Sequence, residues 1–163
     1  MLAVLMLIFA GGARAEPVKV AVFDFELIDT SLQGELQGPR KDEQERLIRA
    51  GEQLRQALKE SGSFEVLDIA SVNAAAHNSN LQACGGCDVK FAQQVGADLA
   101  ITGLVQKVSN LILSMNIYLH DARNGQPVAV LSADMRGDTD ESWSRTMNWL
   151  IRNRVLAPNY GAR

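Results

Sequence analysis

The chain opens on an almost unbroken apolar run, residues 1–9, which passes through Gly11-Gly12 to Ala13-Arg14-Ala15 and then Glu16-Pro17. A short apolar run followed by a small-x-small tripeptide predicts an export signal cleaved after Ala15. The run is far short of the roughly 20 residues that cross a bilayer. A β-rich run follows at residues 18–26 and shows little alternation until its end, the pattern of a strand covered on both faces, and it is expected to be central in a sheet. Residues 27–41 are polar, contain Gly34, Gly38 and Pro39, and are longer than an ordinary connection, which predicts a mobile or functional loop.

Helical spacing takes over at residues 42–60, where Leu47, Ile48, Gly51, Leu54, Ala57 and Leu58 share a face and Ser61-Gly62-Ser63 provides a stop. A short strand over 64–67 follows, then a poorly periodic Ala/Asn-rich stretch to residue 83. Asp88 is expected to cap a helix that turns Val89, Phe91, Ala92 and Val95 inward. Residues 99–108 and 111–120 are strand-like, with Ser109-Asn110 between them.

The next hairpin selects its own register. A three-residue loop, Arg123-Asn124-Gly125, pairs Leu119 with Ala129, Ile117 with Leu131, Met115 with Ala133 and Leu113 with Met135, so all four pairs are apolar. Tyr118, Asn116, Ser114, Val130, Ser132 and Asp134 then form a semi-polar face suited to water or a partner. A last helix is expected to open at Asp138, with Glu141 in the capping-box relation, and to bury Trp143, Met147, Leu150 and Ile151. The order predicts one α/β (α+β) domain over 16–157. Its mixed sheet ends in an antiparallel three-strand meander and is flanked by about three helices, with a loose tail over 158–163.

Composition narrows the function classes. The 163 residues are 47% hydrophobic with a formal net charge of -3, an ordinary globular balance without the basic footprint of a nucleic-acid binder. With the signal removed, the protein is expected to be periplasmic and not membrane-spanning. In that compartment the only two cysteines, Cys84 and Cys87 around Gly85-Gly86, can form and keep a disulfide. At a helix start such a pair can also cycle, because backbone N–H groups stabilise a thiolate. Against cycling, an irregular segment precedes the pair where thioredoxin-like enzymes have a strand, and no aromatic residue flanks Cys84. Pro127, a candidate for the proline such folds use, is explained better by the hairpin. A structural clip is the favoured reading.

Other chemistry is weaker. His77 and His120 do not match a zinc-finger spacing, and no metal site is expected. Asp24 and Glu26 share one side of the first strand, with Asp29 and Glu35 on the loop beyond. Together with Tyr118, Asn116 and Asp134 they form the candidate binding surface. Asp134, Asp138, Asp140 and Glu141 lack the alternating ligands of an EF-hand. The chain has no Gly-x-Ser-x-Gly elbow, phosphate loop or His-Glu-x-x-His, so no catalytic residue is assigned.

Several stretches carry a resemblance: 20–26, 28–31, 81–87 around the cysteines, 103–110, and 138–145 with Trp143. They resemble an uncharacterised family of exported proteobacterial proteins of unknown function. That resemblance implies an exported address and a gene-neighbourhood link to pyrroloquinoline-quinone-dependent alcohol oxidation. More distantly, the strand ending in Phe23-Asp24-Phe25-Glu26, the 96–103 strand and the 121–125 hairpin are similar to the amino-terminal domain of TolB and to CsgG-type assembly proteins. Those domains are periplasmic binding and scaffolding modules and not enzymes; many carry a lipid anchor or second domain, neither of which is expected here. The expectation is a non-catalytic periplasmic accessory protein that holds no cofactor of its own and binds a protein partner or small ligand through the 27–41 loop, the Cys84–Cys87 region and the semi-polar face of the meander. The alternative is a thiol-disulfide protein working through Cys84 and Cys87. A third reading is a metal or quinone-cofactor chaperone built on Asp24 and Glu26.

Overall fold

The run that begins at Val18 forms β1 (Val18–Asp29) in a computed structural model that describes residues 16–157. The expected signal segment and tail lie outside the described residues. Four further strands, β2 (Phe64–Val66), β3 (Leu99–Ser109), β4 (Ile112–Asp121) and β5 (Pro127–Met135), complete one sheet in the order β2-β1-β3-β4-β5. β1 is parallel to β2 and β3, while β3, β4 and β5 form the antiparallel meander. All four apolar pairs expected of the second hairpin are present, but the loop is not the three residues expected. The Asp121 N–H donates to the Gln126 carbonyl and the Gly125 N–H to the Asp121 carbonyl, so residues 122–125 make the turn and a bulge between Leu119 and His120 absorbs the extra residue. The first hairpin turns one residue later than its Ser109-Asn110 reading, because Ser109 still pairs, with Ile112.

Five helices flank the sheet where about three were expected: α1 (Leu32–Gln37), α2 (Lys41–Ser61), α3 (Ala70–His77), α4 (Cys87–Gln94) and α5 (Asp140–Leu150), the last running into a π turn over Ile151–Val155. The two extra helices are short and lie in segments without periodicity. Local chemistry starts both. Ser31 caps α1 by accepting the Gly34 N–H at 3.1 Å, and Gly38, at φ +71°, ends it. Asp68 accepts the Ala70 N–H at the start of α3, which buries only Val72 and Ala76.

α2 and α5 cover one face of the sheet over the larger core, in which Val22, Phe25, Leu54, Met115, Ile117 and Trp143 are buried. α3 and α4 cover β1 and β3 on the other face over a small, alanine-rich core with Ala21, Phe23, Ala76, Ala92 and Ala100. On this second face the β4–β5 half stays open, with Val130, Ser132 and Asp134 exposed.

Two caps differ from expectation. The N-cap of α5 is Thr139, which accepts the Ser142 N–H at 3.2 Å; the Asp138 side chain is buried and takes the Trp143 indole N–H at 2.9 Å instead. α4 starts at Cys87 behind Gly86, so Asp88 lies inside the first turn and turns to His120. On α2, Ile48 is exposed because the inward stripe runs through Glu43, Leu47, Ala50, Leu54 and Leu58.

Candidate functional site

β1 is a central strand for only part of its length. β2 pairs with residues 18–20 and stops, and the chain leaves for α3 after the Leu67 N–H meets the Val20 carbonyl. Arg55 of α2 closes the next step by donating Nε–H and Nη2–H to the Val22 carbonyl at 3.2 and 3.1 Å. Beyond Val22 that side of β1 has no strand neighbour among the described residues. The Thr30 N–H is bonded to Lys107 of β3, so alternation along a regular strand turns the main-chain groups of Phe25 and Leu27 away from β3.

A groove of about 370 Å³ follows this open edge. Asp24 to Ile28 all line it, five consecutive residues, as expected of an edge and not of one pleated face. Gln44 and Leu47 of α2 form one wall. Asn73, Ala76 and His77 of α3 with the following 78–81 segment form the other.

The two acids expected on one side of β1 lie on opposite sides. The register shifts by one residue between Val22 and Phe25, so Asp24 reaches Arg55 of α2 at 2.5 Å, while Glu26 accepts the Leu81 N–H at 2.9 Å on the α3 side. Both still line the groove. The bulge also seats Phe25 flat over Gly103, where a Cβ would lie 2.3 Å from the ring. Asp29 and Glu35 do not join them. Asp29 accepts the Ser31 N–H at 2.8 Å and sits 3.4 Å from Lys107, and Glu35 is exposed on α1.

Cys84 and Cys87 are joined as a disulfide, with Cα atoms 5.8 Å apart, at the start of α4. Next to it, the Asp88 carboxylate is buried and meets the His120 Nδ1 of β4 at 2.7 Å. Gly85, Gly86, Asp88 and His120 line a second, shallow depression with the 123–125 loop. His77 is in the first groove and His120 in this one, and among the described residues no three His, Cys, Asp or Glu side chains are grouped as a metal site requires.

The meander face is knit internally. Asn116, only 7% exposed, donates to the Leu104 carbonyl and accepts the Ser132 hydroxyl at 2.7 Å. Tyr118 pairs with Val130 and Ser114 with Asp134 across the same face. Tyr118, Asn116 and Asp134 thus share one surface, separate from the groove that holds Asp24 and Glu26.

A buried ionic cluster was not anticipated. Lys107 of β3 and Glu43 of α2 are 0% and 1% exposed, with Nζ 2.5 Å from Oε1. Asp138 lies 3.5 Å from the same Nζ and 3.0 Å from Arg46. Burial alone would lower the Lys107 pKa, but the Glu43 hydrogen bond and the charges of Glu43, Asp138 and Asp29 hold it above the ordinary lysine value. Burial pushes the Glu43 carboxyl up; Lys107 opposes this and Asp138 adds to it. The cluster ties β1, β3 and the starts of α2 and α5 together. Its sequence signals were charged residues at inward positions: Glu43 one turn before Leu47 on the α2 stripe, and Lys107 two residues after Val105.

A family model described as "Protein of unknown function (DUF2380)" matches residues 18–155. No curated protein matches the chain. Among solved structures, the LpoB C-terminal domain from Salmonella enterica is 16% identical with a TM-score of 0.52, over 78% of this chain and 87% of that one. The hypothetical protein CT253 from Chlamydia trachomatis is 14% identical with a TM-score of 0.53, over 90% and 99%. TolB from Acinetobacter baumannii is 13% identical with a TM-score of 0.45, over 86% of this chain and 30% of that one. The first two show a shared fold.

Proposed function

The chain belongs to that family of unknown function, and on this premise we propose that it is a non-catalytic periplasmic accessory protein that binds a protein partner. The observation that carries the reading is the solvent-open groove along a strand edge without a strand neighbour. The export signal expected over residues 1–15 supports the address, and no helix among the described residues is long and apolar enough to cross a membrane. The acids Asp24 and Glu26 and the meander face with Asn116, Tyr118 and Asp134 are two candidate contact surfaces; Asp29 serves the fold. The gene-neighbourhood link to pyrroloquinoline-quinone-dependent alcohol oxidation that the family resemblance implies makes an enzyme of that pathway the partner to try first.

The test places a photo-crosslinking residue at Asn78, on the groove rim, and in a second protein at Ser132, on the meander face. One discrete adduct recovered from periplasm through either position is the expected result. No adduct through either position, with no small molecule in the purified protein, overturns the reading.

The thiol-disulfide alternative has its own supporting observation, a disulfide at a helix start beside the Asp88–His120 pair. It requires Cys87→Ala to trap a mixed disulfide through Cys84. A less stable protein with no trapped partner leaves the pair as a clip.

A further inference from the structure

We propose that the groove accepts an extended peptide segment as an additional strand on β1, and that the segment alternates apolar and basic residues. This rests on the accessory-protein reading and names the chemistry of its partner. Three observations specify the occupant.

The first is the main chain. Phe25 and Leu27 turn N–H and C=O groups toward the groove, and the place beside them in the sheet, in line with β2, is empty after Val66. Unpaired strand edges are ready templates for another strand, and natural proteins cover or blunt them unless they are used. Here Arg55 blunts the edge at Val22 only. The five residues from Asp24 to Ile28 remain along the groove, enough for a segment of about five to seven residues at ~3.3 Å each.

The second is the division of the walls. Side chains on an added strand alternate as those of β1 do. One set faces Phe25, Leu27 and Leu47, the apolar α2 side, and suits valine, isoleucine or leucine. The other set faces Glu26 under the amides Asn73 and Asn80 and suits a cation or a polar side chain.

The third is charge. The residues lining the groove include the carboxylates of Asp24 and Glu26 and no lysine or arginine. Asp24 is held by Arg55, so Glu26 is the principal acid for an incoming cation. A strand bearing glutamate in the same positions is repelled, which gives the groove a choice of partner as well as a shape.

The probes are capped heptapeptides of alternating valine and lysine, the same pattern with glutamate in place of lysine, and two N-methylated versions of the lysine peptide. One version is methylated on the valine amides and the other on the lysine amides. In a strand these two sets of N–H groups face opposite edges, so docking on β1 is abolished by one set and tolerated with the other. The expected result is saturable binding of the lysine peptide and at least tenfold weaker binding of the glutamate peptide. Amide exchange at Phe25 and Leu27 slows in the complex. Asn73→Trp, at an exposed rim position, abolishes binding with the fold intact, and Glu26→Gln weakens it about fivefold, the worth of one charge-assisted over one neutral hydrogen bond.

Equal binding of both N-methylated peptides, or no change at Phe25 and Leu27, marks adsorption of cations to an acidic protein and overturns the inference. So does absence of binding by every peptide. If that absence accompanies an adduct through Ser132, the accessory-protein reading stands and the groove inference falls. Peptide docking without any periplasmic adduct has the reverse meaning.

Discussion

Replacing Lys107 by methionine removes the one ammonium that Glu43, Asp29 and Asp138 face together, at 2.5, 3.4 and 3.5 Å. The side chains are of similar length, so the packing changes little and the electrostatic loss dominates. Arg46 still serves Asp138, but Glu43 keeps no cation in contact; its second carboxylate oxygen already has no hydrogen-bond partner. Removing one partner of a buried ion pair costs about 3–5 kcal/mol, which for a domain of this size lowers Tm by roughly 10 °C or more. The loss also depends on pH. Burial raises the Glu43 pKa even with Lys107 present, and without that ammonium it rises further. A carboxyl raised in the folded state favours folding while protonated and loses that contribution as pH climbs from its ordinary value through the raised one. Lys107→Met should therefore be more damaging at pH 8 than at pH 5. Adding Glu43→Gln should recover at least half of the loss and flatten the pH dependence, because no uncompensated charge is then left at Glu43. Urea unfolding followed by circular dichroism, run as a double-mutant cycle at both pH values, measures all of this. A loss below about 1 kcal/mol for Lys107→Met, or a double variant no better than the single, would refute the argument.

Four further outcomes are expected. Gly103→Ala puts a methyl group within 2.3 Å of the Phe25 ring, which must leave its seat; overpacking of this kind costs about 1–3 kcal/mol, and the shift is visible in the Phe25 ring resonances. Thr139→Ala removes the true cap of α5 and should lower stability by about 1 kcal/mol in thermal unfolding, with the Trp143–Asp138 bond retained. Replacing both Cys84 and Cys87 by serine should cost no more than about 2 kcal/mol, because the loop the disulfide closes is so short. A redox titration of the pair should give a potential below about -300 mV; a value between about -120 and -200 mV would make it an active dithiol and overturn the clip.

The strands were legible because their signals were strong and redundant. The β4–β5 register followed from the four apolar pairs, which the structure keeps by offsetting a longer loop with a bulge, and the sheet face it buries is the one predicted. The short helices were not legible for a physical reason. α1 buries no residue and α3 buries two, so neither writes a periodic stripe, and what starts each is a single side-chain-to-backbone bond from Ser31 or Asp68. The misplaced caps have a similar origin. Asp138 and Asp88 are residue types that cap helices well, but each has a side-chain partner elsewhere, Arg46 and Trp143 for one and His120 for the other. Tertiary bonds outweighed local preference at both positions.

The candidate groove was half legible, and the missing half explains it. An apolar run without alternation identifies residues that are covered on both faces, and Val20 to Phe23 are. It says nothing about whether the strand has neighbours on both edges, because edges are closed by main-chain groups that every residue type carries. The length of β2 decides that, and β2 is only three residues long. Had it continued beside β1, Phe25 and Leu27 would pair within the chain and the space between α2 and α3 would be filled. Instead α3 begins four residues after β2 ends, and the bulge at Asp24 sends one acid to Arg55 and the other to Leu81. The short strand and the bulge act together: the first leaves an edge open and the second aims Glu26 along the wall that an incoming strand would meet. The bulge serves the core as well, by seating Phe25 over Gly103, whereas the short strand leaves the edge at Phe25 and Leu27 without a strand neighbour among the described residues.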